Sequence, residues 1–380
     1  MSTEQKKKIK LAIVENNLII GGVQKLVLDQ LRYLDREKFE IHLITLVQLD
    51  LKDFYSEVPA DVQLVKLHFS STKDIKSWLQ LYKILRSIKP DVVKSSMYFS
   101  NTVVRVLKPL LGYKVITAEH NTNDGKGKTQ RFFNRVLHKL SVTTIVDSEM
   151  VASHLSKIEK VPRSQYTVVY NGVDIDAVEA SRKELLPKRE SLRTEYGIAK
   201  DDTLFLTIGR CVKQKNHKRA VEAFALLLKR QPRCKLMIIG DGLSKPEVET
   251  RIHELGIADK VILLPSRMDI HQFYIMSDIT LLSSDNEGFC IAAMEGLAFG
   301  APLVSTKVAG VNEYLKDGEN GFFSEKTPED LAQKMEKIIT LSREQFAQFQ
   351  SEAIKTAANF SVKKYGEKIN ALFQCLQERC

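Results

Sequence analysis

The stretch SDNEGFCIAAMEGLAFGAPLVST, Ser284 to Thr306, carries two acids, Glu287 and Glu295. Between Phe289 and Phe299 nearly every other residue is apolar or small, the composition of a helix buried on all sides. A carboxylate in that setting needs a partner or a ligand, because burying it alone is costly. If the helix starts near Gly288, an eight-residue advance is roughly 12 Å of rise. Helical side chains lean toward the N-terminus, which shortens the gap between the carboxylates. A nucleotide sugar places its sugar hydroxyls and its ribose diol on either side of a diphosphate at a comparable separation. Glu287 would take the sugar hydroxyls and Glu295 the diol, with the backbone N–H groups of Gly288, Phe289 and Cys290 facing the phosphates and sugar. The alternative is a capping acid plus a buried structural pair.

A second constellation follows the strand-like run LFLTIG. In Gly209-Arg210-Cys211-Val212-Lys213-Gln214-Lys215-Asn216, Arg210 leaves the strand and Lys215 precedes the next helix. Cations at both ends of such a loop would flank an anion over the helix N-terminus, a position already favourable to phosphate. The same residues also read as a solvated loop in a chain rich in Lys and Arg.

These groups need a scaffold, and the 380 residues suffice for two ordinary domains. Near-continuous apolar runs alternate with helix-length segments. In the first half they are KLAIV, FEIHLITL, VQLVKL, DVVKSSM, YKVITAEH, TTIVDS and YTVVYNG. The second half has LFLTIG, KLMIIG, KVILL, ITLLSS, PLVST and GFF. Runs that do not alternate suit parallel strands covered on both faces, so the chain reads as α/β. Between Asp174 and Asp202 the pattern lapses into polar sequence, read as a connection with a short helix over Glu190–Tyr196. The expected domains are 1–175 and 176–360, with a terminal helix at 361–380 packing back on the first.

Composition narrows the partners. Fifteen Lys or Arg against four Asp or Glu lie between Lys66 and Leu140, which accounts for the whole net charge of +10. Such a region suits nucleic acid, an anionic membrane or a phosphorylated substrate. No nucleic-acid motif accompanies it, so nucleic acid is not expected. Within it, KGKTQRFFNRVLHKL sets Phe132, Phe133, Val136, Leu137 and Leu140 at helical spacing among Lys128, Arg131, Arg135 and Lys139. Either the apolar stripe packs on the first sheet, or the helix lies on an anionic leaflet. The N-terminus MSTEQKKKIK lacks the apolar core of a secretory signal, so the expected location is cytoplasmic, peripheral at the inner face of the membrane if that helix meets lipid. Five cysteines without a CxxC pair argue against zinc ribbons and disulfide frameworks.

Glu287 and Glu295 resemble the E-x7-E signature of retaining glycosyltransferases, and the chain is similar as a whole to glycosyltransferase family 4. The matching pieces run in order through Gly21-Gly22, His120, Ser148, Asn171-Gly172-Val173-Asp174, GRCVKQK, Gly240-Asp241-Gly242, Glu287 to Gly300, and Asn320-Gly321. The resemblance implies a GT-B fold, two Rossmann-like doubly wound domains facing a central cleft, with acceptor binding in the first and donor binding in the second. It implies that Arg210 and Lys215 hold the diphosphate, Glu295 the ribose and Glu287 the donor sugar. Gly21 and Gly22 would bring backbone to the diphosphate, and His120 would be the active-site histidine. On its own, a lone histidine after a strand reads as structural. The implied activity is metal-independent transfer from a nucleotide diphosphate sugar, UDP favoured, to an acceptor hydroxyl in lipid-linked glycan, capsule or lipopolysaccharide assembly.

Two departures stand out: Cys290 where the family commonly has glycine, and Gly296 in MEGLA. Three decoys carry no metal or NAD reading. Asp174-Ile175-Asp176 lies within the NGVD segment, GDGLSK lacks the third glycine of a dinucleotide fingerprint, and His253-Glu254 lacks a second histidine. No cofactor is expected. The alternatives are another nucleotide-sugar enzyme, an epimerase or phosphorylase, or a non-catalytic partner binding nucleotide sugar or lipid. An inactive partner should have lost site residues, yet Glu287, Glu295, Arg210, Lys215 and His120 are all present.

Overall fold

Thirteen apolar runs become thirteen parallel strands among the described residues, 8–122 and 126–378 of a computed structural model. The chain divides into two compact units, one reaching to Asn171 and resuming at Val362, the other spanning Gly172–Ser361.

In the first unit the strands are β1 (Ile9–Glu15), β2 (Phe39–Thr45), β3 (Gln63–Lys66), β4 (Val92–Ser96), β5 (Lys114–Glu119), β6 (Thr143–Val146) and β7 (Tyr166–Val168). Their order is β3-β2-β1-β4-β5-β6-β7, so the chain reverses direction across the sheet between β1 and β4. The C-terminal helix Val362–Glu378 belongs to this unit, where Phe373 meets Phe39 edge to face at 6.0 Å. A cavity of about 690 Å³ lies among the amino ends of β1, β4 and β5, the opposite end of the sheet from the ligand loops.

The second unit holds β8 (Thr203–Ile208), β9 (Cys234–Ile239), β10 (Val261–Leu264), β11 (Ile279–Leu282), β12 (Leu303–Thr306) and β13 (Gly321–Ser324), ordered β10-β9-β8-β11-β12-β13. Its reversal falls between β8 and β11. In open α/β sheets ligands bind beyond the carboxyl ends of the strands at such a reversal.

Three expectations change. The polar stretch after Asp174 is no slack connection: helices Ile175–Leu185 and Arg189–Glu195 belong to the second unit, and Asp174 caps the first of them by accepting from the Ala177 N–H at 3.0 Å. The helix carrying Glu295 begins at Ile291, not near Gly288, because Cys290 takes a left-handed conformation (φ 59°) as its N-cap. Glu287 therefore precedes the helix, and a rise of eight helical residues does not separate the acids.

The third concerns the basic amphipathic segment. Helix Lys128–Leu137 forms, but its apolar stripe does not pack on the sheet: Phe132, Phe133 and Val136 are 60%, 46% and 51% exposed. The buried residue is polar. Asn134 accepts from Arg105 at 3.2 Å and donates to Glu159 at 2.9 Å. The helix is held by a polar core and faces outward with its aromatic side.

Candidate functional site

In the second unit, the loops after β8 and β11 meet at the point where the sheet reverses. Lys215 ends a 3-10 turn, and Asn216 then caps helix His217–Leu228 through the Arg219 N–H at 3.2 Å. Arg219 reaches across to the loop after β11, contacting Asp285 at 2.6 Å and donating to the Ser283 carbonyl at 2.8 Å. Gln214 donates to the Asn286 carbonyl at 2.7 Å. These bonds fix the loops against each other before any ligand arrives.

Across that seam, Lys215 Nζ lies 2.7 Å from Glu287 Oε1, and the Ser284 hydroxyl donates to the same oxygen at 2.5 Å. Cys290 Sγ is 4.0 Å from the ammonium. Burial opposes the charge on Lys215, but Cys290 and Glu287 outweigh it and lift its pKa above the ordinary lysine value. Burial pushes the Cys290 thiol up to about 11 despite Lys215. At neutral pH the thiol is thus uncharged, and the Glu287 carboxylate is the group that holds the ammonium. Arg210 is exposed and has no ion-pair partner among the described residues, so a full cation stands at the start of the same loop.

Glu295 sits mid-helix, buried, and takes a hydrogen bond from the Tyr274 hydroxyl at 3.0 Å. The same hydroxyl lies 2.9 Å from the Ala292 carbonyl. A neutral hydroxyl leaves the carboxylate with acceptor capacity for a diol. Gly296, beside it, is required: a Cβ there would stand 2.0 Å from Thr280 Oγ1 on β11. That close approach explains the departure in MEGLA.

In the first unit, Gly21 caps and Gly22 begins helix Gly22–Tyr33. His120 follows β5. Neither of its ring nitrogens has a hydrogen-bond partner among the described residues, and the Asp147 carboxylate is 4.0 Å from Nδ1. Burial first, then the charge of Lys94, holds its pKa down to about 3, so the imidazole is neutral. Parallel pairing sets Lys94 beside Ile116, and alternation then puts Ser96 and His120 on the same face. Lys94 is buried 3.0 Å from Glu15 and donates to Ser96 at 2.7 Å. Sequence reading missed Lys94, Glu15, Ser284 and Tyr274. A lysine inside the strand-like run VVKSS, which carries no other charge, was the available signal.

These neutral histidines make stability depend on pH. His217, 3.3 Å from Cys211 Sγ, is held down to about 4 by burial and then Lys215. Unfolded, each histidine titrates near 6.5. The unfolded chain therefore takes up protons that the folded one refuses. This stability is fully present above pH 6.5 and is lost as pH falls toward about 4 for His217 and about 3 for His120. Each contributes at most about 1.4 kcal/mol per pH unit. The urea midpoint should fall between pH 7 and 5, and His217→Asn should flatten that fall. An unchanged slope in the variant would exonerate His217.

Glycosyl transferases group 1 matches residues 188–356, and Glycosyltransferase Family 4 matches residues 20–177. The chain belongs to these glycosyltransferases. It is 23% identical to the Escherichia coli UDP-Gal:alpha-D-GlcNAc-diphosphoundecaprenol alpha-1,3-galactosyltransferase over 96% of this chain and 97% of that one. Among solved structures, Anabaena HepE in complex with UDP superposes with a TM-score of 0.81 at 18% identity, covering 97% of this chain and all of that one. A glycosyltransferase from Rickettsia africae gives 0.84 at 20% identity, covering 98% and 100%. Both have the GT-B fold, and so does this glycosyltransferase.

Proposed function

We propose that this glycosyltransferase moves a sugar from a nucleoside diphosphate sugar to an acceptor hydroxyl with retention of anomeric configuration and without a metal ion. The carrying observation is the Lys215–Glu287 pair at 2.7 Å, which joins the two switch-point loops, the first of which Arg210 opens. A diphosphate entering there meets two cations and draws Lys215 toward its phosphates. Glu287 is then available to the sugar hydroxyls. As the bond to the diphosphate breaks, charge grows on the leaving oxygen, and Arg210 and Lys215 are already in place to receive it. Glu295 takes the ribose diol, and the N–H groups of Gly288, Phe289 and Cys290 line the approach. In the first unit, Gly21, Gly22 and the neutral His120 are the candidate groups, His120 as a hydrogen-bonding group rather than a nucleophile.

UDP is the favoured nucleotide, in keeping with the names of the E. coli relative and the HepE complex. The acceptor we favour is lipid-linked, in glycan, capsule or lipopolysaccharide assembly, with the first unit on the acceptor side. Its exposed aromatic helix and the turn after it carry Lys128, Arg135 and Lys139 in solvent, suited to an anionic leaflet at the cytoplasmic face.

The test is a panel of nucleotide sugars assayed for released nucleotide, with the product's linkage and anomeric configuration determined and the assay repeated in EDTA. Transfer with retention that survives chelation is expected. An inverted product, free sugar as the main product, or activity that returns only with magnesium or manganese would overturn the reading.

A further inference from the structure

The loop from Glu287 to Cys290 adopts a shape that its own sequence does not favour. Cys290 holds φ 59° and ψ 79°, a left-handed conformation that a residue with a Cβ visits at a cost. Such a conformation persists only when the surroundings impose it, and here the imposing element is the turn from Ala309 to Tyr314. Gly310 donates to the Glu287 carbonyl at 3.3 Å, and a Cβ on Gly310 would fall 1.5 Å from the Gly288 carbonyl oxygen. The two backbones thus touch directly. Tyr314, buried, packs its ring on Phe289 with centroids 5.2 Å apart and on Phe360 at 6.2 Å. Its hydroxyl lies 2.9 Å from the Phe289 carbonyl and 3.4 Å from that of Cys290.

A trans peptide points its C=O and N–H in opposite directions. Pinning the Phe289 carbonyl onto Tyr314 therefore turns the Cys290 N–H away from it, whereas the Cys290 carbonyl is taken up by the helix's own Ala293 and Met294 N–H groups at 3.2 and 3.3 Å. No hydrogen bond among the described residues engages the Cys290 N–H. It stands at the entry of the helix that carries Glu295, with no side-chain cap to satisfy it.

We propose that Tyr314 is a positioning residue whose hydroxyl sets the Phe289–Cys290 peptide plane, so that the Cys290 N–H faces the donor's sugar and leaving phosphate. This rests on the donor site proposed above. The hydroxyl touches no substrate; it acts through the backbone it holds. A phenylalanine would keep the ring packing and lose the aim.

The experiment is Tyr314→Phe, read in two ways. In the absence of ligand, the 15N–1H resonance of Cys290 should shift while those of the β11 strand stay put. In turnover with the best donor of the panel, kcat should fall about tenfold, the loss of roughly one anchoring hydrogen bond. UDP affinity by calorimetry should stay within about twofold, since Arg210 and Lys215 are untouched. An unmoved Cys290 resonance, or an unchanged kcat, would overturn the assignment. So would a kcat loss no larger than the loss of folded protein. If the parent itself bound no nucleotide and transferred no sugar, the donor-site reading would fall, and the resonances alone would decide what Tyr314 holds.

Discussion

Replacing Lys215 by methionine will cut transfer by about a thousandfold and also destabilise the second unit, two losses with one cause. Lys215 is 17% exposed in its side chain and Glu287 only 6%, so the pair is largely out of water. Removing one member of a buried pair leaves the other uncompensated, at a cost of about 3–5 kcal/mol when burial is complete. Residual exposure of Lys215 brings the expected cost to about 2–4 kcal/mol. The turnover loss follows from the ammonium's proposed place beside the leaving phosphate. Adding Glu287→Gln should return most of the stability, because the stranded charge is gone, but none of the activity. Arg210→Ala is the contrast: that side chain is exposed and has no ion-pair partner among the described residues, so it should lose about ten- to a hundredfold in kcat/KM with no change in urea midpoint. Released nucleotide and urea unfolding measure both. Lys215→Met with near-parental turnover and normal folding would remove the lysine from the diphosphate site.

The strands were legible because each is a short run of apolar residues, and such runs have few other places to go. VVKSS shows the limit. Its lysine fits a buried strand only because Glu15 waits on β1, 79 residues earlier, and no local pattern announces that partner. Glu295 stood out for the converse reason: a carboxylate in an apolar helix has to be answered. The answer, the Tyr274 hydroxyl 21 residues away, lay beyond any local window. The helix start was misplaced because Gly288, Phe289 and Cys290 read as apolar helix, and what excludes them is Cys290's left-handed backbone, imposed through Gly310 and Tyr314. The stretch after Asp174 misled differently. Helix Ile175–Leu185 buries only Val178, too little apolar periodicity to stand out from a connection. Motif order named the candidate residues; it could not name their pairings, since Lys215 and Glu287 are 72 positions apart.

Reversing Lys128, Arg135 and Lys139 to glutamate should abolish binding to anionic vesicles. In helix Lys128–Leu137 and the turn after it, these three cations are exposed, whereas Arg131 is half-buried and is left alone. Near an anionic leaflet each cation contributes about 1 kcal/mol, so three reversals remove about 3 kcal/mol and add repulsion of similar size. Binding should therefore weaken by a factor on the order of ten thousand, from measurable to absent. The fold should tolerate this, because the helix is anchored through Asn134, Arg105 and Glu159 and not through its outer face. Phe132→Ser with Phe133→Ser separates the apolar share. Those rings are already in solvent, so their loss should leave stability unchanged and weaken binding to neutral and anionic vesicles alike. Transfer to an acceptor embedded in vesicles should slow in both variants, while UDP affinity in solution stays at the parental value. A charge-reversed protein that still sediments with anionic vesicles, or one that transfers to embedded acceptor at the parental rate, would mean that the aromatic helix faces something other than lipid.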